Sequence, residues 1–368
     1  MDYSSSKMNL SPESNEKEEY SSDPKAFEEY KPLISSLPRR KGWVLNQFYH
    51  YQGFWHNLFY LEGLLSAQEH FKPQPNDIFL SSVPKSGTTW LKALSFAIMT
   101  RSSFDASTNP LLTTTPHECV HSLEGDLAHN LFHRNLDTPL IGTHVPYTSL
   151  PKPVIDYGCK IIYICREPKD AFVSLWHFCC KASPKGVELS AREDLDFEEA
   201  FQLFCEGISV FGPYWDHVLG YWRASLEFPE RILFLKYENL KNEPVFYVKE
   251  MAKFMGYPFS LEEETKGMIE NIVDLCSFKN LSKLEVNKSG WLHGRPYLVE
   301  KNAFFRKGEI EDWKNYLKPM MVSRLDEITK HKFRSSDLTF NVSSDAWIVT
   351  RIFDLSRSCR GKLEPIVF

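Results

Sequence analysis

The chain has 368 residues, 42% of them apolar and 14% aromatic, and its 43 Lys and Arg stand against 48 Asp and Glu for a formal charge of −5. That length suits one large α/β domain, and so weak a negative charge supplies no field to gather nucleic acid or an anionic membrane, so any anion site has to be built locally. No stretch approaches the roughly 18 uninterrupted apolar residues of a membrane helix, and the eight cysteines form no CxxC pair, which reads as reduced packing thiols in a cytosolic protein.

Residues 1–37 are acidic and Ser-rich without an apolar run, so they read as a disordered tail and not as a signal or transit peptide. Residues 38–340 form the domain, and 341–368, of mixed apolar and basic character, form an extension of unknown role that reads as a loosely attached tail. Without a secretory signal, the N-x-S sequons at Asn280, Asn287 and Asn341 are treated as coincidence.

Alternating strand and helix patterns begin near residue 78. "DIFLSSV" is a short apolar strand, "PKSG" a turn, and "TTWLKALSFAIMT" carries apolar residues at helical spacing. The turn puts Lys85, Ser86 and Gly87 just before a helix N-terminus, with Thr88, Thr89 and Trp90 opening the helix, where unpaired N–H groups favour an anion. It lacks the first glycine and the GK[ST] ending of a triphosphate loop, so a nucleotide kinase binding ATP and magnesium fits poorly. On spacing alone, an ordinary capped turn fits as well as an anion site.

"LIGTHVPY" then brings His144 to the end of an apolar strand, where an imidazole near neutrality can act as a general base or simply bond to nearby backbone. In "CKIIYICREPKDAFVSLWHFCC" a β-branched strand ends at Arg166, Pro168 opens a helix, and Ser174 lies eight residues beyond the arginine. A planar guanidinium there suits a phosphate, although a surface Arg and a solvated Ser are the blander reading. His177, among aromatics, reads as packing.

"RILFLKYENL" holds a third strand, with Tyr237 beyond its carboxyl end, and "PVFYVKEMAKFMG" is a helix capped by Gly256. The order predicts one α/β domain whose central, mostly parallel sheet is flanked by helices, with ligands beyond the carboxyl ends of the strands. Last comes "FFRKGEIEDWKNYL", whose Arg306, Lys307 and Gly308 make a basic loop before a helix N-capped near Asp312. Three basic loops suit a ligand with phosphates at two ends. Most aromatics must be core, and a minority can line a pocket for a flat acceptor.

Taken together, "PKSGTTWLKAL", "GTHVPY", "CREPKDAFVSLWHF" and "FRKGEIEDWKNYL" resemble the motifs of plant cytosolic sulfotransferases, the flavonol sulfotransferase-like branch above all. "FGPYWDHVLGYWRASLEFPERILFLKYENL" and "LCSFKNLSKLEVNKSG" look like their counterparts there, so the likeness spans about residues 38–340. The resemblance implies 3′-phosphoadenosine 5′-phosphosulfate (PAPS) as co-substrate, no metal, and a small hydroxylated acceptor. Residues 84–90 would hold the 5′-phosphosulfate, Trp90 would stack near the adenine, and Arg166, Ser174 and Arg306–Gly308 would take the 3′-phosphate. Tyr237, Cys276 and Phe278 would surround the nucleoside, His144 would be the base, and Lys85 would stabilise the leaving oxygen. Ser174 would hold Lys85 aside until the acceptor binds.

A flavonol or other phenolic is the favoured acceptor, with brassinosteroids, hydroxyjasmonates, salicylate-like phenols and desulfoglucosinolates within reach of this branch. The rival reading is a weak or inactive small-molecule or nucleotide-binding protein on the same scaffold. It draws on Glu311, which stands where the family's RKGxxGDWK motif has its second glycine. A left-handed backbone there would cost on the order of 1 kcal/mol, the carboxylate would repel the 3′-phosphate, and Lys307, four residues before it, would pair with it if the segment is helical. Residues 318–328 carry no legible form of the family's dimer motif, so monomer and homodimer both stand.

Overall fold

The computed structural model describes residues 24–43, 47–126, 138–184, 195–292 and 297–340. Four parallel strands make the central sheet: β1 (Ile78–Ser82), β2 (Leu140–Thr143), β3 (Lys160–Cys165) and β4 (Ile232–Lys236), in the order β2-β1-β3-β4. Register pairs Ser81 with Thr143, Ser82 with Ile164 and Cys165 with Lys236, so all four carboxyl ends open on one edge. His144, Arg166 and Tyr237 are the next residues after their strands, which makes that edge chemically dense. Arg166 therefore lies one residue beyond β3, where the sequence pattern had placed the strand's last residue.

The strands read as continuous apolar runs because both faces are covered. Phe79, Ile161, Tyr163 and Phe234 enter one core with the helices α2 (Pro168–Lys181) and α3 (Tyr214–Glu227). Leu80, Ile162, Ile164 and Leu235 enter the other with α1 (Thr88–Thr100) and α4 (Pro244–Met255). Successive residues go to opposite cores, as the two-residue period of a strand requires. Gly256 ends α4 in the left-handed conformation, as expected.

Within the stretch read as a tail, Pro24–Ser36 is ordered into a helix. Its Tyr30 and Ile34, four apart on one face, are buried with Leu61 and Leu65. Residues 1–23 and the extension 341–368 lie outside the described residues. The seven cysteines among the described residues are free thiols, and no helix there is long and apolar enough to cross a membrane.

Candidate active site

Two left-handed residues shape the β1–α1 turn, Lys85 at φ 68° and Gly87 at φ 112°. A Cβ on Gly87 would lie 2.9 Å from Tyr237 Cδ2 and 3.1 Å from Ile164 Cδ1, so both backbone and space demand glycine. Gly87 caps α1 with no side-chain bond to the first turn. The N–H groups there are left for an incoming acceptor. α2 differs, because the Glu167 carboxylate takes the Lys169 and Asp170 N–H groups itself.

Half-buried Lys85 places Nζ 4.3 Å from the Phe178 ring centre and 5.2 Å from that of Phe304, and donates to the Ala303 carbonyl at 3.5 Å. Burial first, and then the Arg166 charge, with Arg306 behind it, lower its ammonium to about 7. Ser174 is buried in the wall of the same cavity, but the ammonium bonds to Ala303 and not to it.

His144 is held from three sides. Its Nδ1 lies 2.7 Å from the Ser82 carbonyl oxygen, which can only accept, so the proton is on Nδ1 and Nε2 is the basic nitrogen. Its main-chain N–H donates to Glu124 Oε1 at 2.9 Å, while Thr143 Oγ1 donates to Oε2 of the same carboxylate. Its carbonyl accepts from His217 Nε2 at 2.9 Å, and Tyr163 donates to His217 Nδ1 at 3.0 Å. Burial lowers His217 to about 4, which keeps it neutral in this role.

The basic groups converge through two buried aspartates. Arg166 Nη2 donates to the Glu309 carbonyl at 2.5 Å and lies 3.6 Å from Asp170, with the guanidinium 4.6 Å from the Tyr237 ring centre. Asp170 also accepts the N–H groups of Glu311 at 2.7 Å and Trp313 at 3.0 Å, tying the loop after Gly308 to α2. Arg306 and Lys307 both pair with Asp312. Burial pushes the Asp312 carboxyl up, but hydrogen bonds from Lys307, Asn315 and Arg306 outweigh it and bring it to about 2. Gly308 is left-handed, and a Cβ there would lie 2.6 Å from Phe278.

Three expectations about this loop change. Asp312 is the first residue of a 3₁₀ turn, Asp312–Asn315, whose cap is Glu311. Lys307 pairs with Asp312 and not Glu311, because 307–311 is not helical. Glu311 is left-handed at φ 61°, yet its carboxylate turns outward, 60% exposed, onto Lys314 at 2.7 Å.

These groups wall one cavity of about 320 Å³ at the carboxyl edge of the sheet. Lys85, Gly87, Thr88, Thr89, Trp90, His144, Arg166 and Ser174 line it, as do Tyr237, Cys276, Phe278 and Arg306–Gly308. Of the candidates only Ser86 does not; it is buried, and its N–H returns to the Val83 carbonyl. His177, read as packing, does line the cavity, between Trp176 and Tyr316, and burial followed by Arg306 lowers it to about 4. Sequence reasoning passed over Lys92, His117, Glu124 and Asp170, whose roles come from distant partners. It also left unsorted which rings are pocket: Trp43, Phe48, Tyr60, Phe178 and Phe304 are, whereas Tyr214, Trp215 and Tyr221 are core.

Three buried donors at this site, Trp90 Nε1, Arg166 Nε and Arg306 Nε, have no hydrogen-bond partner in the protein. A buried donor left so costs about 1–3 kcal/mol, which a ligand rich in anionic oxygens would recover. The cations and the glycine cradles at 87 and 308 fit such a ligand carrying phosphates at both ends.

Residues 75–337 match the sulfotransferase domain family. The chain is 48% identical over 329 residues to cytosolic sulfotransferase 17 of Arabidopsis thaliana, covering 86% of this chain and 92% of that one. It is 49% identical over 314 residues to flavonol 3-sulfotransferase of Flaveria bidentis, covering 83% and 98%. The solved mouse sulfotransferase SULT7A1, complexed with PAP, superposes with a TM-score of 0.60 at 27% identity, covering 84% and 99%.

Proposed function

The chain belongs to the sulfotransferase family, and from that membership we propose that it transfers a sulfuryl group from PAPS to the hydroxyl of a flavonol or other phenolic in the cytoplasm. The observation that carries this reading is the meeting, in one cavity, of the lone-pair nitrogen of His144, the Lys85 ammonium and the Arg166–Arg306 pair. The donor supplies the sulfuryl group, whose bond to the nucleotide's phosphate oxygen breaks as a bond to the acceptor oxygen forms. His144 Nε2 takes the acceptor's proton, a contribution of roughly 10²–10⁴-fold for a well-placed base. Lys85 offsets negative charge on the departing oxygen, and loss of such a donor costs about 10²–10³-fold.

The α1 N-terminus with Thr88 and Thr89 would receive the 5′ end of the donor, and Arg166, Ser174, Arg306, Lys307 and Gly308 the 3′-phosphate. Trp90 and Tyr237, rings edge to face at 5.6 Å, would flank the nucleoside together with Cys276 and Phe278. Ser174, in the wall of the same cavity, would restrain Lys85 in another state of the site. Trp43, Phe48, Tyr60 and Phe304 favour a flat apolar acceptor.

The test is transfer from radiolabelled PAPS to flavonols and simple phenols, with brassinosteroids, hydroxyjasmonates and desulfoglucosinolates as comparison acceptors. Labelled product that vanishes in Lys85→Ala and His144→Ala supports the reading. Binding of the desulfated nucleotide, 3′-phosphoadenosine 5′-phosphate, with no product from any acceptor would replace it with a binding protein on the same scaffold.

A further inference from the structure

Behind the β1–α1 turn, Lys92 is a buried cation, 2% exposed, on the second turn of α1. Its Nζ donates to the Val120 carbonyl at 2.9 Å and approaches His117 Nδ1 at 3.4 Å. On the other side of the imidazole, His117 Nε2 lies 3.0 Å from Thr89 Oγ1. An ammonium has donors and no acceptor, so Nδ1 must be the accepting nitrogen and Nε2 must carry the proton. Nε2–H then donates to the Thr89 oxygen. The Thr89 hydroxyl, already an acceptor, has its own proton left to give, and its residue lines the cavity at the helix N-terminus.

We propose that Lys92 and His117 form a hydrogen-bonded relay that aims the Thr89 hydroxyl proton at the anion held by the β1–α1 turn. Both are positioning residues acting through Thr89, and the inference rests on the reading of that turn as the donor's 5′ site. The chain runs from a formal charge through a polarisable ring to a hydroxyl, so each bond strengthens the next. His117 is fixed in place by a helical turn, Pro116–Cys119, closed by a capping box between Thr115 and Glu118. Its ring packs 4.2 Å from Phe304, one of the two rings around the Lys85 ammonium, so the relay borders the acceptor side as well. Space is equally committed at Lys92: a Cβ at Gly142 of β2 would lie 2.5 Å from Lys92 Cε.

The experiment is a double-mutant cycle on Kd for 3′-phosphoadenosine 5′-phosphate, by calorimetry on the full chain. His117→Leu should weaken binding roughly ten- to hundredfold in the wild-type background and not further in Thr89→Val, because the lost bond acts only through that hydroxyl. His117→Gln, whose amide can accept from Lys92 and donate to Thr89, should recover most of the loss. Equal, additive losses in both backgrounds would reduce His117 to a structural role and overturn the relay, as would wild-type affinity in His117→Leu. Side-chain ¹⁵N spectra of the unmodified protein give a reading independent of folding: the relay requires His117 protonated on Nε2, and protonation on Nδ1 rules it out. Failure of the wild-type chain to bind the nucleotide at all would instead sink the assignment of the turn.

Discussion

The carbonyl of Ser82, the last residue of β1, receives the Nδ1–H of His144, the first residue after β2, across 2.7 Å. Neighbouring parallel strands thus set the tautomer of the ring that enters the cavity. The first prediction follows from that arrangement. His144→Ala should lower kcat by roughly 10²–10⁴-fold, because the proposed base is gone. Kd for the desulfated nucleotide should stay near the wild-type value, since the anion-facing groups are on other elements. A loss below tenfold in kcat, or a parallel loss of nucleotide affinity, would remove His144 from the role of base.

Lys85 gives a prediction in pH. Its folded value of about 7 lies below the ordinary 10.5, so in the free protein at pH 8 most of these amines are neutral. An anion in the turn favours the ammonium and raises that value, so binding takes up protons and affinity falls as pH rises above about 7. Calorimetry at pH 8 in buffers of different ionisation heat should report net proton uptake that disappears in Lys85→Met. The same shift makes the free folded protein gain stability as pH rises from about 7 toward 10.5, where only the unfolded chain still holds the proton. Zero uptake in the unmodified protein would show that Lys85 is already charged before binding.

Glu311→Gly addresses a departure visible in the sequence. Its left-handed backbone, φ 61°, is one glycine adopts freely, so the substitution should stabilise the fold by up to about 1 kcal/mol. Nucleotide affinity should change by no more than about twofold, since an exposed carboxylate already paired with Lys314 is strongly screened. Urea unfolding and a nucleotide titration check both halves. Affinity improved tenfold would mean the carboxylate does reach the phosphate site.

What the sequence made legible follows from geometry of the simplest kind. Lys85, His144, Arg166 and Tyr237 could be picked out because each follows an apolar strand, and parallel strands deliver such residues to one edge. His117 and Asp170 could not, because what defines them lies far along the chain: Thr89 for one, Glu311 and Trp313 for the other. The helix Pro24–Ser36 was missed for a related reason. Tyr30 and Ile34 share a stretch that mixes Glu28, Glu29 and Lys31 with Phe27 and Leu33, and the face they cover is defined by Tyr49, Leu61 and Leu65, farther along the chain. The outward turn of Glu311 likewise depends on Lys314, three residues on, in a segment whose 3₁₀ conformation brings the two together.

Asp170→Asn tests how far the basic loop depends on α2. The carboxylate is 1% exposed and uses both oxygens, Oδ2 for the Glu311 N–H and Oδ1 for that of Trp313. An asparagine of the same shape can accept only one of these and must turn its NH₂ toward the other. One buried N–H is left unpaired and faces a second donor, at a cost of roughly 1–3 kcal/mol. The urea midpoint should fall accordingly. Because Arg306–Gly308 and Glu311–Trp313 share one short loop, pinned also by Asp312, looser tethering should weaken binding of 3′-phosphoadenosine 5′-phosphate more than adenosine 5′-phosphate, which lacks the 3′ group. Equal weakening of the two nucleotides would show that Asp170 supports the fold at large and not the 3′-phosphate end; an unchanged midpoint would show that neither N–H depends on it.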